Sequence, residues 1–295
     1  WRCADGEKSK LFQEWPKDVL AMREHLRKFP PGLLSRAGMT IFVDDSRLWD
    51  RECDWIVERT EPSPQIIYFV YYHNDYKKAL RLLTELLGAI PMPEDWMLGV
   101  WYSCYRRMGE KQFRQIKEQF DKQELPLDAV VVDTDWHKYF WHGFDWNEKL
   151  FPSPKRFRDW LRKNKLHAVF NVHPQFIPDK DSRLPKFLKR CNVEKNLVTK
   201  KGGEHRFFTG CHKVDLFDPE QTKAYFEIFH RPIERDGGCE LWWVDGTLRD
   251  RMGADATAWL NELYAHYGKG HLVLSRTFGL GAHRSTLHFT GDTYC

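Results

Sequence analysis

The feature that most constrains the fold is a regular alternation of strand-like and helix-like segments, which begins near Trp96 and continues to the end of the chain. Helix-like segments of about 10–15 residues separate most of the strand-like ones. The strand-like segments are WMLGVWYS, LDAVVVDTD, HAVFNVHP, CELWWVDG, HLVLSRT and STLHFTGD. Such alternation predicts βαβ units and a parallel sheet with six strands.

The segment after the first strand decides between the two common parallel folds. A doubly wound sheet would place a glycine-rich phosphate loop there, but YSCYRRM follows instead, and neither G-x-G-x-x-G nor G-x-x-x-x-G-K-[ST] occurs in the sequence. A barrel of the (β/α)8 TIM type needs about 250 residues, which a chain of 295 provides. The loop-like FGLGAHR segment leaves too little chain for a full crossover helix before the sixth strand.

The first 90 residues follow a different pattern. LSRAGMTIFVDDS and SPQIIYFVYYH are short β-rich runs bounded by Pro, Gly and Asp. In DYKKALRLLTELLGAIPMP, leucines at helical spacing end at Gly88 and prolines follow, which marks the end of a helix. We therefore predict that residues 1–90 form the end of an amino-terminal β-sandwich-like region with a linking helix, and that residues 91–295 form the barrel.

Composition excludes several partner classes. Hydrophobic residues make up 42% of the chain without any run of the 18 apolar residues that a membrane helix needs. The 46 basic and 42 acidic residues leave a net charge of only +4 and alternate along the helix-like segments. We expect neither a membrane nor a nucleic-acid partner, and the sequence does not indicate an oligomeric state.

The cysteines and histidines indicate no metal or disulfide framework. Seven scattered cysteines without a C-x-x-C pair favour a reducing compartment such as the cytoplasm. The spacing of His205, Cys211 and His212 matches no standard zinc pattern, and no cofactor is implied. The chain starts at Trp1 without a leader, as if cut, which leaves secretion undecided.

Polar residues end five of the predicted strands. They are Asp133, Asp135, His173, Asp245, Arg276 and Asp292. Catalytic residues of α/β barrels come from several strand ends, so this convergence indicates an active site, whereas any one of these residues alone could be a cap or a salt-bridged buried acid. Two carboxylates with aromatic platforms suit glycoside hydrolysis, because one acid attacks the anomeric carbon and the other protonates the leaving oxygen.

An ordered series of segments along nearly the whole chain resembles glycoside hydrolase family 31, which contains α-glucosidases and α-xylosidases. GLLSRAGMTIFVDDS is similar to the end of that family's amino-terminal β-sandwich, and PMPEDWMLGVWYSCYRRM is similar to its first barrel strand. LPLDAVVVDTDWH resembles the second strand, CELWWVDG the nucleophile strand, and LSRTFGLGAHRSTLHFTGDT the segment from the arginine to the acid/base.

The resemblance implies a role for each matched residue. Asp245 matches the nucleophile and Asp292 the general acid/base. Asp133 matches the aspartate that holds sugar hydroxyls, Trp243 the tryptophan two residues before the nucleophile, and Arg276 the arginine before the acid/base. His173, which ends the third strand, is a further candidate for binding substrate. The implied activity is that of a retaining α-glycosidase, with a carbohydrate as substrate.

Two departures from the family pattern bear on these expectations. Residues 245–248 read Asp-Gly-Thr-Leu instead of the Asp-Met-Asn-Glu of many α-glucosidases, and DTDWH and NVHP look more like the branch that includes α-N-acetylgalactosaminidases. The family barrel has eight strands, whereas the sequence ends after the sixth. We therefore expect a truncated barrel, and the alternative to an active enzyme is a non-catalytic carbohydrate-binding or pseudo-enzyme fragment.

Overall fold

A computed structural model describes residues 34–44, 48–50, 52–57, 66–139, 141–199, 208–246, 254–276 and 281–291. The described residues divide into two compact units. The first contains those up to Ile90 together with Gly281, and the second contains the remaining described residues from Pro91 onward.

The first unit contains two small antiparallel sheets and one helix. Strand β1 (Met39–Asp44) pairs with β4 (Ile66–Tyr71), and β2 (Leu48–Asp50) pairs with β3 (Trp55–Val57). Helix α1 spans Tyr76–Leu87. The Asp75 side chain caps it by accepting a hydrogen bond of 2.9 Å from the Lys78 amide, and Gly88 ends it at a φ of 95°.

The second unit is built on a parallel sheet. Its strands are β5 (Trp101–Tyr102), β6 (Ala129–Val132), β7 (His137–Tyr139), β8 (His142–Trp146), β9 (His167–Val172), β10 (Phe176–Pro178), β11 (Cys211–Lys213), β12 (Leu241–Val244), β13 (Val273–Ser275) and β14 (Thr286–His288). The sheet runs β5-β6-β9-β12-β13-β14, and every neighbouring pair in it is parallel. The predicted parallel sheet with six strands in chain order is confirmed.

Helices connect these strands. They are α2 (Glu110–Lys122), α3 (Pro154–Lys163), α4 (Leu184–Cys191), α5 (Pro219–Tyr225), α6 (Arg231–Gly237) and α7 (Ala254–Tyr267). The described part of the connection from β13 to β14 contains one 3-10 turn, Ala282–Arg284, as its short length predicts.

The segment EQTKAYFEIFHRPIERDG, one of the helix-like segments between predicted strands, does not form a single α-helix. A π-helical turn, Phe226–His230, separates α5 from α6. Pro232 supplies the physical reason, since it has no amide hydrogen to donate and its ring would clash with the Ile228 carbonyl in a regular α-helix.

The two adjacent tryptophans of β12 serve opposite faces of the sheet, because successive side chains of a strand alternate. Trp242 packs against the edge of the Tyr264 ring of α7, and its indole nitrogen donates a hydrogen bond of 2.9 Å to Glu234 of α6. Trp243 belongs to an apolar cluster on the other face, with Val169 of the adjacent strand β9 and Val131 of β6 beyond it. Side chains two residues further along that face therefore lie above the cluster at the carboxyl ends of the strands.

Antiparallel pairs after β6 and β9 are the elements that sequence analysis missed. It named no strand or helix in the region of β10, α4 and β11, but β10 pairs with β11, and β7 pairs with β8. Gly143 allows the second hairpin, since its φ is +81° and a Cβ there would lie 2.9 Å from the buried carboxylate of Asp181. Its carbonyl accepts a hydrogen bond of 2.6 Å from Nδ1 of His137.

Candidate active site

Asp245 follows β12 directly, on the face of the sheet that carries Trp243. Its amide nitrogen donates a hydrogen bond of 3.0 Å to the carbonyl of Val172, which extends the pairing of β12 with β9 by one residue. About one sixth of its side chain is exposed, 17%. Hydrogen bonding between β12 and β9 thus fixes the backbone of Asp245, while its carboxylate stays partly accessible to solvent.

Two side chains from the neighbouring strands hold this carboxylate. Nε of Arg276 lies 2.6 Å from Oδ1 of Asp245, and the two side chains form an ion pair. Nδ2 of Asn171 donates a hydrogen bond of 3.3 Å to Oδ2. The register pairs Val244 with Ser275, so Arg276 is carried to the position beside Asp245.

His173 is a neutral neighbour of the same carboxylate. Burial and then the positive charge of Arg276 lower the pKa of His173 to about 4, while a backbone hydrogen bond at Trp141 opposes them. Its Nε2 lies 4.0 Å from Oδ2 of Asp245, too far for a hydrogen bond. Because the imidazole is neutral near pH 7, this contact is not an ion pair, and Arg276 supplies the counter-charge. The ring of Trp141 stacks on His173 with centroids 5.3 Å apart.

The two aspartates after β6 have local structural partners. Oδ1 of Asp133 accepts a hydrogen bond of 2.7 Å from the amide of Thr134, and this caps a 3-10 turn, Thr134–Trp136. Oδ2 of Asp135 accepts a hydrogen bond of 3.1 Å from the amide of Met108, so this side chain holds the loop after β5. Asp133 is half-buried.

The side chain of Trp243 carries a buried hydrogen-bond donor, its indole N–H, in the apolar cluster. Its indole nitrogen has no hydrogen-bond partner among the described residues, which carries a desolvation cost of about 1–3 kcal/mol. Phe289 packs edge-on to its ring with centroids 4.9 Å apart, and the guanidinium of Arg276 lies 5.2 Å from the centre of the same phenylalanine ring.

The structure brings together three of the residues singled out by sequence analysis, namely His173, Asp245 and Arg276. Asp292 lies outside the described residues. Its distance to Asp245 and its ionisation therefore stay predictions. Sequence analysis missed Asn171 and Trp141. Asn171 could have been found, because it precedes His173 by two residues and therefore shares its face of the strand.

Buried neutral histidines make the stability of the protein sensitive to acid. Burial lowers the pKa of His230 to about 3, that of His173 to about 4, and that of His137 well below its usual value. Below about pH 6.5 the unfolded chain binds protons at these positions that the folded chain does not. We therefore expect the free energy of unfolding to be largest above this pH and to fall by about 1.4 kcal/mol per pH unit for each histidine down to its folded pKa.

Urea denaturation at about pH 7 and about pH 5 measures this loss of stability. The matched control is His266→Gln, since this histidine is exposed on α7 and its loss should leave the difference unchanged. An unfolding free energy that is equal at the two pH values would contradict the burial of neutral histidines.

Metal ligands, cysteines and membrane-spanning helices are the remaining features of the described residues that bear on function. No group of three or more His, Cys, Asp or Glu side chains within it is arranged to hold a metal ion, and His205 lies outside it. Five described cysteines are free thiols: Cys53, Cys104, Cys191, Cys211 and Cys239. No described helix is both long enough and apolar enough to cross a membrane.

The chain is similar to characterised α-glycosidases over parts of their length. It is 27% identical over 227 residues to the α-xylosidase XylQ of Lactiplantibacillus pentosus, covering 73% of this chain and 29% of that protein. It is 28% identical over 109 residues to α-glucosidase 2 of Bacillus thermoamyloliquefaciens, covering 37% of this chain and 14% of that protein. The chain thus spans less than a third of the length of these curated relatives.

Solved structures share the fold. The family 31 dextranase of Flavobacterium johnsoniae matches with a TM-score of 0.64 at 20% identity, covering 79% of this chain and 32% of that one. A family 31 α-xylosidase from a soil metagenome matches with a TM-score of 0.62 at 16% identity, covering 81% and 38%. The model of the TIM-barrel domain of glycosyl hydrolases family 31 matches residues 90–295, and the chain therefore belongs to this family.

Proposed function

We propose that this chain provides the catalytic barrel of a retaining α-glycosidase, with Asp245 as the nucleophile. The observation that carries the proposal is the position of the Asp245 carboxylate, at a strand end, partly accessible and held between Arg276 and Asn171. An arginine at 2.6 Å favours the ionised form, which is the form that attacks carbon.

The reaction takes place in two displacements. Asp245 attacks the anomeric carbon and forms a glycosyl ester, while Asp292 protonates the leaving oxygen. Asp292 then removes a proton from water, which attacks the same carbon and releases both the sugar and the aspartate. Two inversions give net retention, and this mechanism requires the two carboxyl groups to lie about 5–5.5 Å apart.

The other matched residues are proposed to hold the sugar. Trp243 carries a buried indole N–H that lacks a partner among the described residues, and a sugar hydroxyl would satisfy it. Asp133, half-buried after β6, is proposed to accept hydrogen bonds from sugar hydroxyls. His173, neutral near pH 7, can both donate and accept a hydrogen bond without adding charge beside Arg276.

The proposed substrates are α-glucosides, α-xylosides and α-N-acetylgalactosaminides. Relatives named as α-glucosidase and α-xylosidase support the first two. The DTDWH and NVHP segments, which resemble those of the α-N-acetylgalactosaminidase branch, support the third.

A substrate panel with stereochemical analysis tests the proposal. The product of the complete gene is incubated with p-nitrophenyl α- and β-glycosides of these three sugars, and proton NMR records which anomer of the free sugar forms first. We expect cleavage of at least one α-glycoside with the α-anomer appearing first. Early formation of the β-anomer would show inversion and remove Asp245 as a nucleophile, and cleavage of β-glycosides alone would refute the assignment.

A further inference from the structure

A cavity of about 440 Å³ is lined in part by Trp141, whose ring stacks on His173 of the candidate active site. Its walls come from the loop after β5, the 3-10 turn after β6 and the hairpin of β7 and β8, all of which lie in the second unit. The volume falls within the usual range for pockets that bind small ligands, about 300–1,000 Å³. The cavity is large enough for a sugar or for a substituent attached to one.

The lining of this cavity is positively charged. Arg106, Arg107 and Lys138 contribute three cations, and Asp135 contributes one carboxylate, so the charged side chains of the wall sum to +2. His137 also lines the cavity, but burial keeps its pKa well below the usual value and the ring is neutral near pH 7.

Ion pairing within the described part of the chain does not offset the charge of these three cations. Among the described residues, no carboxylate oxygen lies within 4.0 Å of their charged nitrogens. Arg106 donates a hydrogen bond of 3.2 Å to the Tyr102 hydroxyl, and Lys138 lies 5.8 Å from the centre of the Tyr139 ring. In contrast, Arg114 of α2 is paired with Glu110 at 2.6 Å. The cavity therefore has a positive potential that no neighbouring carboxylate within this distance neutralises.

Two short chains of contacts connect the cavity to candidate site residues, and one of them reaches the carboxylate of Asp245. Trp141 forms part of the wall and stacks on His173, whose Nε2 lies 4.0 Å from Oδ2 of Asp245. Thr134, another wall residue, donates its amide hydrogen to Asp133. A glycoside held at Asp245 and Asp133 would thus place a neighbouring substituent at the mouth of the cavity.

We propose that this cavity is a subsite for an anionic group, such as a carboxylate, carried by the glycoside substrate. The proposal rests on the proposed α-glycosidase function and names a substrate class for it. Guanidinium groups match the planar geometry of carboxylates and bind them through paired hydrogen bonds. The ring of Trp141 provides a face against which a sugar can pack.

Two matched substrate pairs test the proposal with the product of the complete gene. One pair places the charge on the sugar, as p-nitrophenyl α-glucuronide against p-nitrophenyl α-glucoside. The other places it on the leaving group, as 4-carboxyphenyl against 4-carbamoylphenyl α-glucoside. We expect the ratio of kcat/KM for the anionic and neutral members to fall about 10-fold in the Arg107→Gln/Lys138→Gln variant for at least one pair.

The matched control is Lys186→Gln/Lys223→Gln, which removes two exposed charges from α4 and α5. It should leave both ratios unchanged. Added salt should lower the ratio of the responding pair in the unmodified protein, since the cavity cations are exposed and therefore screened. The responding pair shows whether the anion belongs to the sugar or to the leaving group. Unchanged ratios for both pairs in Arg107→Gln/Lys138→Gln would overturn the proposal.

A binding measurement separates failure of this proposal from failure of the proposed function. If no α-glycoside is cleaved, the proposed function fails, and calorimetry then decides the subsite. It compares methyl α-glucuronide with methyl α-glucoside, and 4-carboxyphenyl with 4-carbamoylphenyl α-glucoside. Tighter binding of the anionic member of either pair that is lost in Arg107→Gln/Lys138→Gln would support the subsite. Equal affinity within both pairs would overturn it.

Discussion

Replacement of Asp245 by alanine should reduce kcat of the complete gene product by about 10⁴-fold or more, because no other group can form the glycosyl ester. Sodium azide should restore part of the turnover in this variant. The small anion fits the space left by the carboxylate and attacks from the same face, so the product should be the β-glycosyl azide.

Two controls make this result specific. Asp121→Ala removes an exposed carboxylate from α2 and should leave kcat unchanged. Asp245→Asn keeps the shape of the side chain and the hydrogen bond from Asn171, yet it should be as inactive as Asp245→Ala. Activity that survives in either Asp245 variant without azide would exclude this residue as the nucleophile.

Replacement of Trp136 by alanine should lower the free energy of unfolding by about 3–5 kcal/mol. Its side chain is fully buried, and aromatic rings from β8, β9 and β12 surround it. Its indole nitrogen also donates a hydrogen bond of 2.8 Å to the carbonyl of Asn171. Since domains are usually stable by about 5–15 kcal/mol, this loss is a large share of the total.

Urea denaturation measures the effect of the substitution on stability. Trp160→Ala is the matched control, because this tryptophan is only half-buried on α3 and its loss should cost less than about 2 kcal/mol. The loss of unfolding free energy in Trp136→Phe should lie between those of Trp136→Ala and Trp160→Ala, because phenylalanine retains much of the ring volume but cannot form the hydrogen bond. If Trp136→Ala cost no more than Trp160→Ala, the described packing around the hairpin of β7 and β8 would be wrong.

Much of the parallel sheet could be predicted because its signals are local. Runs such as AVVV and LWWV are buried on both faces, so they stand out as continuous apolar segments between helix-like ones. The helix bounds followed from equally local marks, such as Asp75 before α1 and Gly88 after it. The position of Asp245 at a strand end also needed only the sequence, since Gly246 closes the apolar run.

The elements that sequence analysis missed depend on contacts between distant residues. The hairpin of β7 and β8 is short, and the carboxylate that accepts the Phe144 amide hydrogen comes from Asp181, beyond the next strand of the sheet. The partners of Asp245 likewise depend on the register between strands that are far apart in the chain. Asn171 was overlooked because a single polar residue inside an apolar strand gives no periodic signal.

The contacts of Asp245 also determine when in folding the site can form. Three adjacent strands carry these residues: Asn171 belongs to β9, Asp245 follows β12 and Arg276 follows β13. A slip of one residue in β13 would turn Arg276 to the opposite face of the sheet. These contacts join residues that are far apart in the chain. An isolated hairpin or helix of a nascent chain therefore cannot form the ion pair between Asp245 and Arg276. A ribosome-bound chain that has not yet released β13 should therefore lack the charge arrangement altogether, and the pair can appear only when β9, β12 and β13 have docked in register.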